Sequence, residues 1–165
     1  MKKVWCVLAF ALLLSGCAGG KSLETVTDDM EAPVMAQMKE ITVALPKNAA
    51  VETLDNGTDG KIYLCDGYTV TLQILPGGDT EKTFRELTGF SKDQLTVMQR
   101  DASGYKRYDC VWSAAGEAED QVARGTVLDD GFFHYAVTVS APFSDAGDLS
   151  ETWQSILASV TLSTD

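Results

Sequence analysis

The chain has 165 residues, 13 Lys and Arg against 24 Asp and Glu, a formal charge of −11 and 45% hydrophobic residues. That apolar fraction excludes a disordered chain, and the length suits one ordinary folded domain. The acidity excludes nucleic acid as a partner, because phosphate binding rests on Lys and Arg.

The charge is divided along the chain. Residues 1–16 hold Lys2 and Lys3 and no acid, so the remainder has 11 basic against 24 acidic side chains, net −13. Val4 to Leu14 is an unbroken apolar run (VWCVLAFALLL), followed by the small residues Ser15, Gly16, Cys17, Ala18, Gly19 and Gly20. A positive start, an apolar run and a small-residue stop form the layout of a secretory signal peptide. The run is too short to span a bilayer.

Leu14-Ser15-Gly16-Cys17 resembles the lipobox of bacterial lipoproteins at all four positions. The resemblance implies diacylglyceryl transfer to the Cys17 sulfur and cleavage before Cys17. The membrane would then be a partner through the Cys17 lipid, on the extracytoplasmic side. Each buried methylene of such an anchor contributes about 0.8 kcal/mol, and more than one acyl chain makes it stable. The expected organisation is a lipoprotein signal peptide over 1–16, a lipid-anchored flexible tether over 17–38 and a single α+β domain over 39–165. The tether reading rests on Gly19-Gly20 and the polar, acidic run to Glu31.

From Lys39 the pattern turns to strands. Ile41, Val43 and Leu45 alternate up to Pro46, and Val51–Leu54 reads as a continuation of that edge. Asp55-Asn56-Gly57-Thr58-Asp59-Gly60 is a dense turn signal. Lys61–Cys65 and Tyr68–Leu75 flank Asp66-Gly67, a two-residue hairpin signal, with Tyr68, Val70, Leu72 and Ile74 on one face. After Pro76-Gly77-Gly78, Asp79 or Thr80 caps a short helix with Phe84 and Leu87 inward and Gly89 as its stop. Leu95–Arg100 and Tyr105–Ser113 are strands around Asp101–Gly104, with Tyr108, Cys110 and Trp112 on one face. Gln121–Leu128 and Phe132–Ala141 form a hairpin around Asp129-Asp130-Gly131, with Phe133, Tyr135, Val137 and Val139 co-facial.

The last element is a helix. Asp148-Leu149-Ser150-Glu151 has a capping-box pattern, and Leu149, Trp153, Ile156, Leu157 and Val160 form one apolar stripe for packing on a sheet. The sum is α+β: an antiparallel β-sheet flanked by helices. The ITVALP opening, the helix from Asp79 and the ending FFHYAVTVSAPFSDAGDLSETWQSILASVTL resemble the PsbP-like fold, also found in bacterial lipoproteins of the DcrB type. The resemblance covers roughly residues 39–163. It implies an α/β/α sandwich and, since such domains are mostly non-catalytic, a binding or structural role.

Chemistry is sparse. His134 is the single histidine, on the strand face opposite Phe133 and Tyr135, so any Ser-His-Asp chemistry would have to use it. Gly-x-Ser-x-Gly, Walker-type and GxGxxG motifs are missing, and no cofactor is expected. Asp28-Asp29, Asp129-Asp130 and Glu117/Glu119/Asp120 read as solvated carboxylates. Asp55, Asp59, Gly60 and Asp66 match positions one, five, six and twelve of an EF-hand-like loop, but Gly57 stands at position three and the flanks read as strands. A hairpin turn is expected there and no metal. Cys65 and Cys110 remain after Cys6 leaves and Cys17 takes lipid. An extracytoplasmic location allows a disulfide between them, with two buried free thiols as the alternative. Tyr108, Trp112, Phe132 and His134 either line a groove on an uncovered sheet face or sit in the core under a helix.

The expected function is that of a membrane-anchored extracytoplasmic lipoprotein, a non-catalytic binding or envelope-associated module whose protein or small-molecule ligand the sequence leaves unnamed. The alternatives are an envelope hydrolase using His134 and a carboxylate, or a subunit of a surface complex, which a broad exposed apolar patch would favour.

Overall fold

The computed structural model describes residues 36–53, 60–102, 104–116 and 118–163. The signal segment, Cys17 and nearly all of the tether lie outside the described residues, as do Asp55 and Asp59. The described residues belong to one unit, Ala36–Asp165.

The elements in chain order are β1 (Glu40–Thr42), β2 (Ala50–Thr53), β3 (Gly60–Leu64), β4 (Thr69–Pro76), α1 (Thr80–Thr88), a 3-10 turn (Lys92–Gln94), β5 (Thr96–Ala102), β6 (Tyr105–Ala114), β7 (Gln121–Asp129), β8 (Phe133–Pro142), α2 (Ser150–Ala158) and β9 (Thr161–Ser163). Seven strands form one antiparallel sheet in the order β2-β3-β4-β8-β7-β6-β5, and β1 pairs with β9 in a separate two-stranded sheet.

Local chemistry explains most of these boundaries. At Asp66-Gly67 the chain reverses with Gly67 at φ 77°, a left-handed conformation that glycine adopts without steric cost, and the Cys65 amide donates to the Tyr68 carbonyl at 2.9 Å. Asp79 caps α1 by accepting from the Lys82 amide at 3.0 Å, and Gly89 ends the helix at φ 78°.

Two expectations are corrected. Ile41 starts no edge of the main sheet. Its strand pairs with β9, which the sequence reading missed, in the register Ile41 to Leu162, and the break at Pro46 sends Ala50–Thr53 to the sheet edge as a separate strand. The capping box at Asp148 does not form either. Leu149 precedes α2 in a helical conformation (φ −86°, ψ −3°) with no side-chain cap. Residues 145–149 already wind as a turn, with the Leu149 amide donating to the Asp145 carbonyl at 3.3 Å, so backbone groups meet the need a side chain would have met.

Pleating divides the core in two. Tyr68 just before β4, Val70 and Leu72 of β4, and Tyr135, Val137 and Val139 of β8 pack with Leu128 and with Trp153, Ile156 and Leu157 of α2. The alternate residues Val127 of β7 and Ala136 of β8 pack with Tyr108, Cys110 and Phe84 of α1. Since neighbouring residues on a strand face opposite ways, the two clusters lie on opposite sides of the sheet.

A buried polar knot joins α2 to the sheet. The Arg107 guanidinium donates to the Leu157 carbonyl at 2.7 Å, to Thr126 Oγ1 at 2.9 Å and to Asp109 at 3.0 Å, and Thr126 Oγ1 donates to the same carboxylate at 2.6 Å. A cation at the last turn adds a strong donor to a carbonyl at the helix end and complements the helix dipole.

Candidate functional site

His134 sits on β8 on the α1 side of the sheet. Its ring is fully buried, with Nδ1 2.6 Å from Thr83 Oγ1 on α1 and Nε2 3.7 Å from Asp129 Oδ1 on β7. The alignment follows from register, because Asp129 is the direct cross-strand partner of His134, while the Asp79 cap fixes the start of α1 and brings Thr83 over the ring. Nε2 has no hydrogen-bond partner. The Thr83 hydroxyl also lies 3.2 Å from the Asp79 carbonyl. Thr83 has one proton to give: donated to the Asp79 carbonyl, it requires Nδ1–H to donate to Thr83 Oγ1, and donated to Nδ1 instead, it puts the ring proton on Nε2, facing the Asp129 carboxylate. Burial pushes the His134 pKa below its ordinary value, and this outweighs the opposing pull of Asp129, Asp130 and Asp79.

A hydroxyl, an imidazole and a carboxylate in line are the parts of a nucleophilic site. Thr83 is only 3% exposed and His134 is 0% exposed, so both groups are closed to solvent in this structure. The arrangement holds α1 on the sheet.

Asp130 forms a second node beside it. Its carboxylate accepts from the amides of Phe132 and Phe133 at 3.0 and 2.9 Å, from Tyr135 Oη at 3.2 Å and from Lys39 Nζ at 3.1 Å. Burial acts to raise this carboxyl, but the two amides and the Lys39 ammonium outweigh it and hold the pKa below the ordinary value. Tyr135 Oη also accepts from the Lys39 amide at 2.9 Å, so the first residues of the folded unit are tied to the β7–β8 hairpin.

The remaining candidates separate. Tyr108 is a buried core residue under Phe84, Trp112 is partly buried at the margin of the same cluster, and Phe132 is 57% exposed on the β7–β8 turn. These and His134 therefore do not line one groove. Cys65 and Cys110 are free thiols, the alternative to a bridge between them. Cys65 follows β3 and packs against the α2-side core, whereas Cys110 lies on β6 in the α1-side cluster. Four strand spacings separate them, about 19 Å, far beyond the roughly 7 Å that a disulfide spans. Burial raises both thiols, Cys110 to about 11, with Asp109 adding to the effect there.

Of the calcium-like spacing only Gly60 and Asp66 lie among the described residues. Gly60 opens β3 and Asp66 follows its far end, so an extended strand holds them about 20 Å apart at 3.3 Å per residue. The exposed apolar side chains form no single patch among the described residues. Val51 is on β2 at one edge of the sheet and Met98 on β5 at the other.

What stays accessible on the α1 side is a strip beyond Phe84. Thr69, Thr71 and Gln73 of β4 and Thr138 and Ser140 of β8 are all partly exposed there, with Trp112 beside them. Thr71 pairs with Thr138 and Thr69 with Ser140 across the two strands. Sequence reasoning put Thr69, Thr71 and Gln73 on one face but could not bring β8 beside them.

No protein-family model and no curated protein matches the sequence. Among solved structures, CyanoP, the cyanobacterial PsbP of Synechocystis, aligns with a TM-score of 0.52 at 9% identity, over 82% of this chain and 99% of that one. The fold is PsbP-like. A protein from Bacteroides thetaiotaomicron aligns at 0.51 with 7% identity over 76% of this chain, which spans 46% of that one. LpqN, involved in cell envelope biogenesis of Mycobacterium tuberculosis, aligns at 0.47 with 10% identity, over 89% of this chain and 100% of that one. At these identities the PsbP-like match speaks for the fold alone. Among the described residues no helix is long and apolar enough to cross a membrane.

Proposed function

We propose that this chain is a lipid-anchored extracytoplasmic bacterial lipoprotein whose folded part, a PsbP-like α/β/α sandwich, is a non-catalytic binding module. The packing of α1 and α2 into clusters made by alternate strand residues supports the sandwich. The complete burial of His134 carries the non-catalytic reading, because the chain's single imidazole is closed to solvent. The anchor rests on Leu14-Ser15-Gly16-Cys17. The −13 remainder is repelled by anionic headgroups, so the lipid does the attaching.

Cys17→Ala releases the chain from the membrane fraction to the soluble fraction on fractionation; continued membrane retention overturns the anchor. The line of Thr83, His134 and Asp129 favours a hydrolase as the second reading, with α1 lifting to admit substrate. Mass spectrometry after treatment with an organophosphate decides between them. An unmodified Thr83 fits the binding module, and a phosphorylated Thr83 defeats it.

A further inference from the structure

We propose that the accessible strip on the α1 side binds an uncharged glycan, with the Trp112 indole as its stacking platform. This deepens the binding-module reading and rests on it.

The platform is built into the sheet. A Cβ on Gly125 would lie 3.2 and 3.3 Å from Trp112 Cζ3 and Cη2 and 3.3 Å from the Thr138 methyl. Gly125 has no positive φ, so its backbone does not require glycine. Glycine inside a strand weakens the strand and marks a close approach. Here the close approach is the indole, which lies over β7 and reaches β8. The ring thus stands beside the hydroxyls rather than across the sheet from them.

Those hydroxyls come in two cross-strand pairs, Thr71 with Thr138 and Thr69 with Ser140, and the Gln73 amide follows on β4. Strand geometry spaces such groups at about 4.8 Å across the sheet and about 6.8 Å along it. Each hydroxyl donates or accepts, and the amide does both. A sugar ring presents an apolar C–H face and a rim of hydroxyls. The indole suits the face, and the Thr, Ser and Gln groups suit the rim.

Charge selects the class. None of these six side chains carries charge, in a chain of net −11. A polyanion is repelled by the whole molecule, and a polycation is drawn to the carboxylates elsewhere. Position argues against an extended peptide. Strand addition uses a sheet edge, whereas β4 and β8 occupy interior positions and the edges are β2 and β5.

The test is calorimetric titration of the full chain, held in a zwitterionic detergent free of sugar, with chitotetraose, cellotetraose and maltotetraose. Saturable binding of at least one is expected, with a change in indole emission. Trp112→Ala weakens it about tenfold, and so does the double variant Thr71→Val, Thr138→Val, which keeps volume and leaves the thermal midpoint close to that of the parent. No saturable binding of any of the three at about 10 mM overturns the proposal, and so does binding that survives both variants. Tighter binding of dextran sulfate at the same strip overturns the uncharged class. The Cys17→Ala fractionation does not depend on sugar, so loss of the anchor reading and loss of the glycan reading are seen separately.

Discussion

At His134 a single residue links fold and pH. Its pKa in the folded chain lies below the ordinary 6.5, because burial disfavours the charged ring. The unfolded chain therefore takes up a proton first as pH falls through 6.5. The folded state binds fewer protons there, so stability decreases as pH drops below that value and is fully present above it. Urea titrations at pH 7.5 and pH 5.5 should give a smaller unfolding free energy at the lower pH. The difference should shrink in His134→Gln, which has no titrating ring; an equal pH slope in parent and variant would contradict this account. The residue type and its strand face are legible in FFHYAV. Its burial is not, because α1 comes from a segment 51 positions away in sequence.

At the scale of elements, α2 shows how local signals and tertiary contacts share the work. The stripe of Trp153, Ile156, Leu157 and Val160 is readable from spacing, and all four are buried. The seat of its last turn is not readable, since Arg107, held by Thr126, reaches it from a strand 50 positions away in sequence. Arg107→Met removes the guanidinium from the Leu157 carbonyl and from the Asp109 carboxylate, which keeps Arg100 at 2.7 Å and Thr126 at 2.6 Å. It should cost about 2 kcal/mol in chemical denaturation, the scale of losing charge-assisted hydrogen bonds whose acceptors keep other donors. Trp153→Ala removes a fully buried ring and should cost about 3–5 kcal/mol in the same assay. The failed Asp148 cap belongs here as well. A capping box is a local pattern, and the turn from Asp145 removed the need for it.

At the scale of the molecule, the sheet separates the cysteines. With two free thiols about four strands apart, the thermal midpoint should be the same with and without reductant. Native Cys110 should resist alkylation at neutral pH, because its thiol is buried and held at about 11. Both thiols should label after unfolding. A midpoint that falls on reduction would point to a bridge and refute the strand order. The same order puts the hydroxyls of β4 beside those of β8, which produces the strip proposed to hold a glycan.

The chain by itself determined most of what depends on near neighbours, the Asp148 cap excepted. The charge split at Cys17, the period-two alternation of β4 and β8, the Asp66-Gly67 and Asp129-Asp130-Gly131 reversals and the Asp79 and Gly89 limits of α1 follow from residues within a turn or two of one another. Only the tertiary structure decided what depends on strand order. It paired β1 with β9, set β4 against β8, buried His134 between Thr83 and Asp129, and put Cys65 and Cys110 on different sides of the sheet. Alternation fixes which residues share a face. It does not say which strand lies alongside or which helix covers the face, because those outcomes come from burying both faces at once.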